Sequence, residues 1–588
     1  MRRAPATLVR LLNTNTPVRL ESGCSSAISA MASRVPWWLV LLSCLGGNCS
    51  TAAADRIVDG EATRLLVDLD DFADVRGLAI VAERPRKTGS MAVVPDQPWE
   101  QGYIAFYSSV IQVGPRDFRI YYHTDGLAGE HSHVAVSTTA IGPWRKPQLG
   151  LISWNNGTKK NNIIYRGRLV AVFMDTALGV PPSARFKAAV GDALTGTTIL
   201  SSADGFSWPS GAEGMPNVGW KAMSDTQPVV FYDAPTERYL GYGRYDVPDF
   251  PPVAPPLPTC ISTPFAGCVP GAGSHRFRLI GVAAAPDLEP GCFNRTDRPR
   301  RAIGFPQPPV SSCVDLYTSN VVRYADHLLG FPSAYYHFRH EDPPVAVRAG
   351  SSSGLGNDGV LEVWMITSRD GLNFSYLAGP TSPAFVPRGV GRFSTSHWRF
   401  TGQFDAGIAL MTRGWLANSA GSEAEEWDTV VMYQRGSQLT HWTEWHSAAR
   451  TAMIENASRS LGQPLQSGIE RLELRRDGWA CLRVPDLSKQ PGTAVTAPVP
   501  IPECPVALLL NADVPVGEVL RVTALDATGV HSLSEGFITG NGVRLAVQPS
   551  NRSNQGFLHD VTGKVAFRFM LEQGTRLYAW ELRCGQYM

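Results

Sequence analysis

The chain has 588 residues, and its 53 Lys and Arg nearly balance 52 Asp and Glu, for a formal charge of +1. No basic stripe stands out, so no nucleic-acid partner is expected, and 44% hydrophobic residues exclude global disorder. The 56 Gly, 44 Pro and 15 Trp argue against a helical bundle or coiled coil and suit short strands joined by many turns.

The first element is an address. Met31-Ala-Ser-Arg34 is a short basic start, Val35–Leu45 is an apolar run, and Ala52-Ala-Ala54 closes it with small residues. These are the three parts of a secretory signal peptide, predicted over 31–54. The run has 11 residues, well short of the ~20 that span a bilayer. No later stretch is long and apolar enough, so no membrane span is expected. Met31 is read as the true start, with residues 1–30 an untranslated upstream extension. A transit peptide is the other reading of that Arg-rich stretch. The expected localisation is extracellular, or the lumen of the secretory pathway. Sequons at Asn48, Asn156, Asn294, Asn373, Asn456 and Asn551 agree with it.

Strand-like runs follow from about Trp99 to Val484. They include Tyr103–Val113, Phe118–His123, Asn162–Tyr165, Pro228–Tyr232, Tyr239–Tyr242, Glu362–Thr367 and Thr429–Tyr433. No segment of helix length has a strong 3.6-residue period. Pro248–Pro270 reads as a Pro-rich insertion. A second Pro-rich stretch, at Gln490–Pro505, predicts a linker over 486–503. Beyond it, Val506–Leu510, Glu518–Leu525, Val543–Val547, Val565–Leu571 and Arg576–Leu582 predict a compact β-sandwich over 504–588. Seven cysteines follow the signal. The expected pairs are Cys260–Cys268, Cys292–Cys313 and Cys504–Cys584, although spacing alone does not fix connectivity.

A repeat runs through the middle. Ser202-Ala-Asp204-Gly205-Phe-Ser-Trp208 and Ser368-Arg-Asp370-Gly371-Leu-Asn-Phe374 share one pattern, and each follows an apolar strand. Worn copies are Ser137–Trp144 and Ala283–Leu288. In such a hairpin turn Asp accepts backbone N–H bonds, Gly takes φ > 0, and the aromatic packs back on the next strand. Its recurrence predicts propeller blades with insertions. Ordinary hairpins of a sandwich are the blander reading.

Several phrases, in order, resemble a family of secreted five-bladed propeller proteins. That family is distantly related to the glycoside hydrolases of the fructan- and arabinan-cleaving superfamily. The phrases are Leu66-Val-Asp-Leu-Asp-Asp-Phe72, Pro95-Asp-Gln-Pro-Trp-Glu100, Gly150-Leu-Ile with Lys160-Asn-Asn-Ile-Ile164, and Asp225-Thr-Gln-Pro-Val-Val-Phe231. They continue with Asp315-Leu-Tyr-Thr-Ser-Asn320, Gly330-Phe-Pro-Ser333, Ser368-Arg-Asp-Gly371 and Arg475-Arg-Asp-Gly478, and end in Leu510-Asn-Ala-Asp513 and Leu577-Tyr-Ala-Trp580. The resemblance covers roughly 63–588. It implies an all-β fold, a five-bladed propeller over 63–485 followed by the small C-terminal sandwich, with a polar central funnel and a glycan-related role.

Glycoside hydrolysis generally needs two carboxyl groups flanking the bond. Asp225, Asp315 and Asp405 stand 90 residues apart, twice over, each just before or on a predicted strand. Under the blade reading they open blades three, four and five and are the catalytic candidates. Asp225 is expected as base or nucleophile and Asp315 as general acid. Asp405 would orient them or tune a pKa through like-charge repulsion. Glu341 and Asp342 are an alternative source of acid. A spacing of ~5.5 Å between the two carboxyls would predict retention, and ~6.5–9.5 Å inversion. Glu100, Asn161, Asn162, Asn320, His397 and Trp398 are the substrate-binding candidates. Trp99, Tyr107 and Trp415 are further sugar platforms, though most such rings serve packing. The superfamily's Asn-Asp-Pro and Arg-Asp-Pro motifs are absent, and Glu503-Cys504 falls in the linker, so roles cannot be copied across. His131-Ser-His133 has metal-like spacing but no third ligand nearby, and reads as a solvated strand. No metal and no cofactor is expected. The favoured function is glycoside hydrolysis on an extracellular oligo- or polysaccharide. A non-catalytic glycan-binding propeller and an extracellular interaction scaffold are the rivals.

Overall fold

Strand Asp117–Gly126 shows how the chain builds its sheets. Phe118, Ile120 and Tyr122 alternate with Arg119, Tyr121 and His123, and all six are buried. A strand buried on both faces must lie between two other layers. One face shares a core with Leu416, Val431 and Tyr433, and the other with Val172, Ala188 and Leu200. The computed structural model describes residues 63–588 except 127–128, 156, 193–195, 210–214, 221–225, 249–275, 296–299, 304–313, 338–358, 378–383, 395–398, 418–428, 442–466, 489, 552–555 and 586–588.

The described residues are nearly all β, and the antiparallel sheets follow one another along the chain. The first joins Ser108–Gly114, Asp117–Gly126, Gly129–Ser137 and Ile163–Arg166. The second joins Ala171–Met174, Phe186–Asp192, Gly196–Ser202 and Asn217–Gly219. The third joins Val229–Asp233, Arg238–Pro248, Arg276–Ala285 and Arg300–Arg301. The fourth comes in two pieces. Val314–Leu316, Ser333–His337, Gly359–Trp364 and Ala384–Val386 form one, and Val322–Tyr324, His327–Gly330, Ile366–Ser368 and Ser375–Tyr376 the other. The fifth joins Ile408–Met411, Thr429–Ser437 and Ser467–Arg475, and its outer strand is Arg86–Val93 from the far N-terminal side. One parallel bridge, Leu361 to Ile408, links the fourth to the fifth. Cores pair the sheets in sequence: one with two, two with three and four, four with five, and five with one.

The repeat folds as its residues dictate. Asp204 Oδ1 accepts the N–H groups of Phe206 and Ser207 at 2.8 and 2.7 Å, and Asp370 Oδ1 those of Leu372 and Asn373 at 2.8 Å each. Gly205 and Gly371 have φ of +72° and +71°. Each turn also meets a tyrosine of the preceding sheet. Tyr242 Oη donates to Gly371 O at 2.7 Å, and a Cβ on Gly205 would stand 2.6 Å from Tyr121 Oη. Tyr433 donates to Ala140 O in the worn first copy, and Tyr324 Oη donates to Asp477 Oδ1 at 2.7 Å.

Two further sheets share one core at the C-terminal end. One runs Ala79–Ala82, Ala480–Arg483, Arg576–Cys584, Val506–Asp513, Asn541–Ala546, with Thr63–Leu65 also on Arg576–Cys584. The other includes Phe72–Arg76, Gly492–Thr496, Lys564–Leu571, Leu520–Leu525 and Ser532–Ile538. Residues 486–503, expected as a linker, thus contribute strands Gly492–Thr496 and Val499–Pro500, both bonded to Lys564–Leu571. Pro500 ends its short strand, a place where the missing N–H costs no ladder bond. The N-terminal strands, expected in the propeller, also belong here. Arg369, from the second repeat turn, binds Asp68 and Asp71 of the loop between them, at 2.8 and 3.1 Å.

Other expectations shift. Tyr103–Tyr107 is not strand, because its backbone bonds elsewhere: Tyr103 N to Glu100 O, Ile104 N to Ser467 Oγ, Ala105 N to His123 O. His131 and His133, expected on a solvated strand, are both buried. His133 stacks on Tyr122, and its Nε2 lies 2.9 Å from Thr124 Oγ1. Cys504 and Cys584 form a disulfide. Cys260, Cys268 and Cys313 lie outside the described residues, as does most of the Pro248–Pro270 insertion. Cys481 is a buried thiol that donates to Glu83 Oε1, and burial pushes its pKa up. Among the described residues no helix is long and apolar enough to cross a membrane.

Candidate functional site

The first strands of the five sheets are stitched together by side chains. Ser109 Oγ accepts Val172 N at 3.1 Å, which ties sheet one to sheet two. Gln227 Nε2 donates from sheet three to Val170 O at 2.7 Å and to Ser108 O at 3.3 Å. Asn320 Nδ2 donates from sheet four to Met411 O of sheet five at 2.7 Å. Arg413 N donates to Ser108 O at 2.9 Å, and its Nη1 reaches Val172 O at 3.2 Å. Its guanidinium also lies over Phe173 and Phe231. One small region therefore receives groups from all five sheets.

An aromatic cluster adjoins it. Tyr107 and Tyr317 meet hydroxyl to hydroxyl at 3.3 Å. His441 packs against Phe106, Tyr317 and Tyr335 with ring centroids 5.5, 4.8 and 4.6 Å away, and its Nδ1 lies 3.1 Å from Tyr335 Oη. Arg278 covers the Tyr317 ring at 5.6 Å. Asp315 stands two residues before Tyr317, which follows the strand Val314–Leu316 and whose N–H donates to Ser333 O at 2.8 Å. Asp315 is 7% exposed, and its Oδ1 accepts Arg278 N at 3.3 Å. Thr226 Oγ1, next to Gln227, and Ser319 Oγ and Asn320 Oδ1, just beyond Tyr317, are buried and make no hydrogen bond among the described residues. Buried polar atoms of that kind ordinarily find water or a ligand.

The other expected site residues go elsewhere. Asp405 is 2% exposed, 2.5 Å from Lys87 Nζ, and it shares Gln434 Nε2 with Glu470 at 3.1 and 2.7 Å. Glu100 is fully buried and accepts Tyr122 Oη and Lys146 Nζ at 2.6 Å each. Burial raises its pKa against the pull of that lysine. Asn162 joins the same network through Trp99 Nε1 and Tyr122 Oη, both at 2.8 Å. Asn161 ties its own loop, donating to Ile152 O and Thr158 O. Trp415 donates to Arg323 O and packs on Tyr324. Asp225, Glu341, Asp342, His397 and Trp398 lie outside the described residues. The structure thus puts Asn320 where the sheets converge, Asp315 against Arg278 at the edge of the aromatic cluster, and Asp405, Glu100 and Asn162 in separate networks.

Tyr317, Tyr335, His441, Arg278, Gln227 and Arg413 were not expected at a site. Tyr317 was within reach, since it lies two residues beyond Asp315. Tyr335 comes from the neighbouring strand of the same sheet, directly opposite Asp315, and the rest from other parts of the chain, so only folding brings them together. Among the described residues no group of three or more His, Cys, Asp or Glu is placed to hold a metal ion.

No family model matches the chain, and no curated protein is similar to it. Solved structures overlap it loosely. A family 43 arabinoxylan arabinofuranohydrolase from Bacillus subtilis, in complex with cellotetraose, is 11% identical, with 83% of this chain and 97% of that one covered, at a TM-score of 0.32. The catalytic domain of a family 62 α-L-arabinofuranosidase from Coprinopsis cinerea is 14% identical over 67% and 97%, at 0.33. An α-L-arabinanase from Penicillium chrysogenum, complexed with arabinobiose, is 10% identical over 67% and 99%, at 0.31. Overlaps this loose bring neither fold nor activity to this chain.

Proposed function

We propose that the chain is a glycoside hydrolase-like protein acting on an extracellular oligo- or polysaccharide. In this reading the five sheets are the blades of a propeller, and the two C-terminal sheets are a sandwich that buttresses it. Residues 31–54 send it into the secretory pathway. The observation that carries the proposal is the buried Asp315: its Oδ1 accepts Arg278 N, the Arg278 guanidinium covers the Tyr317 ring, and Tyr317 in turn meets Tyr107 and His441. The family phrases around Asp225 and Asp315 support it from the sequence side.

Asp315 acts as general acid and gives its proton to the departing glycosidic oxygen. Asp225 is its partner, as nucleophile or as the base that activates water. The aromatic cluster supplies hydroxyls and ring faces for a sugar, and the buried hydroxyls of Thr226 and Ser319 are further groups that a polar ligand would satisfy.

The test is product release. The chain expressed from Met31 is incubated with fructans, arabinans, xylans and galactans, and products are followed by mass spectrometry. Cleavage by wild type and its loss in Asp315→Asn and Asp225→Asn is the expected result. Cleavage that survives Asp315→Asn removes Asp315 from the chemistry. A second reading, glycan binding without cleavage, draws on the lysine partners of Asp405 and Glu100. Binding to a glycan that no enzyme preparation cleaves would favour it.

A further inference from the structure

We propose that Asn373 carries an N-linked glycan, on a turn that keeps its own hydrogen bonds when the glycan is attached. The proposal rests on the secretory reading above. Asn373-Phe374-Ser375 is one of the six sequons. Asn373 and Ser375 are exposed, whereas Phe374 is 9% exposed and sits in the core. The Phe374 ring meets Tyr242 edge to face at 5.7 Å, and its N–H donates to Ala302 O at 3.0 Å. The middle residue pins the tripeptide, and the residues on either side face solvent. Ser375 opens Ser375–Tyr376, the edge strand of its sheet, where a bulky group has room.

The amide chemistry fits as well. Asn373 Nδ2 donates one N–H to Asp370 Oδ2 at 2.7 Å. In the sister turn Ser207 Oγ makes the equivalent bond to Asp204 Oδ2 at 3.1 Å. A hydroxyl has one proton to give, so the turn needs one donor only. The Asn amide has two, and the second is spare. Glycosylation uses it. A bond forms between Nδ2 and C1 of an N-acetylhexosamine, and the C1–O bond to a lipid pyrophosphate donor breaks. The pyrophosphate leaves with that electron pair, the amide proton passes to a base of the transferase, and nothing is oxidised or reduced. The remaining N–H still caps Asp370.

The full chain, expressed in a secretory eukaryotic cell, is treated with peptide-N-glycosidase in heavy-oxygen water, which marks each modified Asn as labelled Asp. A label at Asn373 that disappears in Ser375→Ala is the expected result. Asn373→Ser copies the sister turn, so it should lose one glycan's mass and keep the thermal midpoint of deglycosylated wild type. A label at Asn551 with none at Asn373 overturns the proposal and leaves secretion standing. An unlabelled chain retained in the cytosol overturns both. An Asn373→Ser protein that melts well below deglycosylated wild type overturns the account of the turn.

Discussion

Asp405 and Lys87 lie 2.5 Å apart, with the carboxylate 2% and the ammonium 26% exposed. Gln434 fixes the same carboxylate oxygen. Removing one partner of a largely buried pair leaves the other charge poorly solvated, at about 3 kcal/mol. Asp405→Ala should therefore lower the urea midpoint. A variant that unfolds with wild type but loses glycan cleavage would return Asp405 to the chemistry. The sequence marks Asp405 and Asp315 alike, by spacing. It does not show that Lys87, more than 300 positions away, closes on one of them. Asp315 and Tyr317 were legible together because they stand two residues apart in the sequence. Tyr335 and His441 were not, because folding alone brings them to that pair.

The repeat turn is the element most fully written in the sequence, because its bonds lie within four residues. Its glycines carry a double constraint. Both have φ near +70°, and a Cβ on Gly371 would stand 2.6 Å from Leu328 Cδ1. Gly371→Ala should cost more than the ~1 kcal/mol of an ordinary glycine replacement, read as a lowered thermal midpoint. Gly517, also at positive φ but with open space around it, is the control and should suffer less when changed to Ala. A larger loss at Gly517 would contradict the packing argument. The linker was the element misread. Its prolines signal a break, yet strands at a sheet margin or end tolerate proline, and local composition does not separate the two.

For the whole molecule, the joint between the C-terminal sheets and the fourth sheet is partly ionic. His327 is fully buried between two carboxylates, with Nδ1 2.6 Å from Asp326 Oδ1 and Nε2 2.9 Å from Asp68 Oδ2. Arg369, Arg64 and Asp71 surround the same group. A ring that donates to two carboxylates is an imidazolium. Burial works against that charge, and the two carboxylates outweigh it and raise the pKa of His327. Burial also opposes ionisation of Asp68 and Asp326. Bonds from His327, with Arg369 beside it, hold both below the usual range. The raised histidine contributes fully below about pH 6.5 and less as pH climbs through its folded value. The depressed acids contribute fully above about pH 3.9 and less as pH falls. The contribution of this cluster, read as the difference in thermal midpoint between wild type and His327→Gln, should be flat from about pH 4 to 6.5 and then shrink. A difference between the two that grows from about pH 6.5 to 8 would refute the clamp.

The fifth sheet also sets a timetable. Its outer strand, Arg86–Val93, is among the first made, and its partner, Ser467–Arg475, is made much later, since Arg86 and Glu473 are 387 residues apart. At ~5–20 residues per second, that strand waits roughly 20–80 s for its neighbour. Arg86, Lys87 and Gly89 make it a poor partner for any other strand edge during the delay. No nascent chain that ends before Ser467 can complete the sheet, so the earliest-made strand of that sheet is among the last to be fixed.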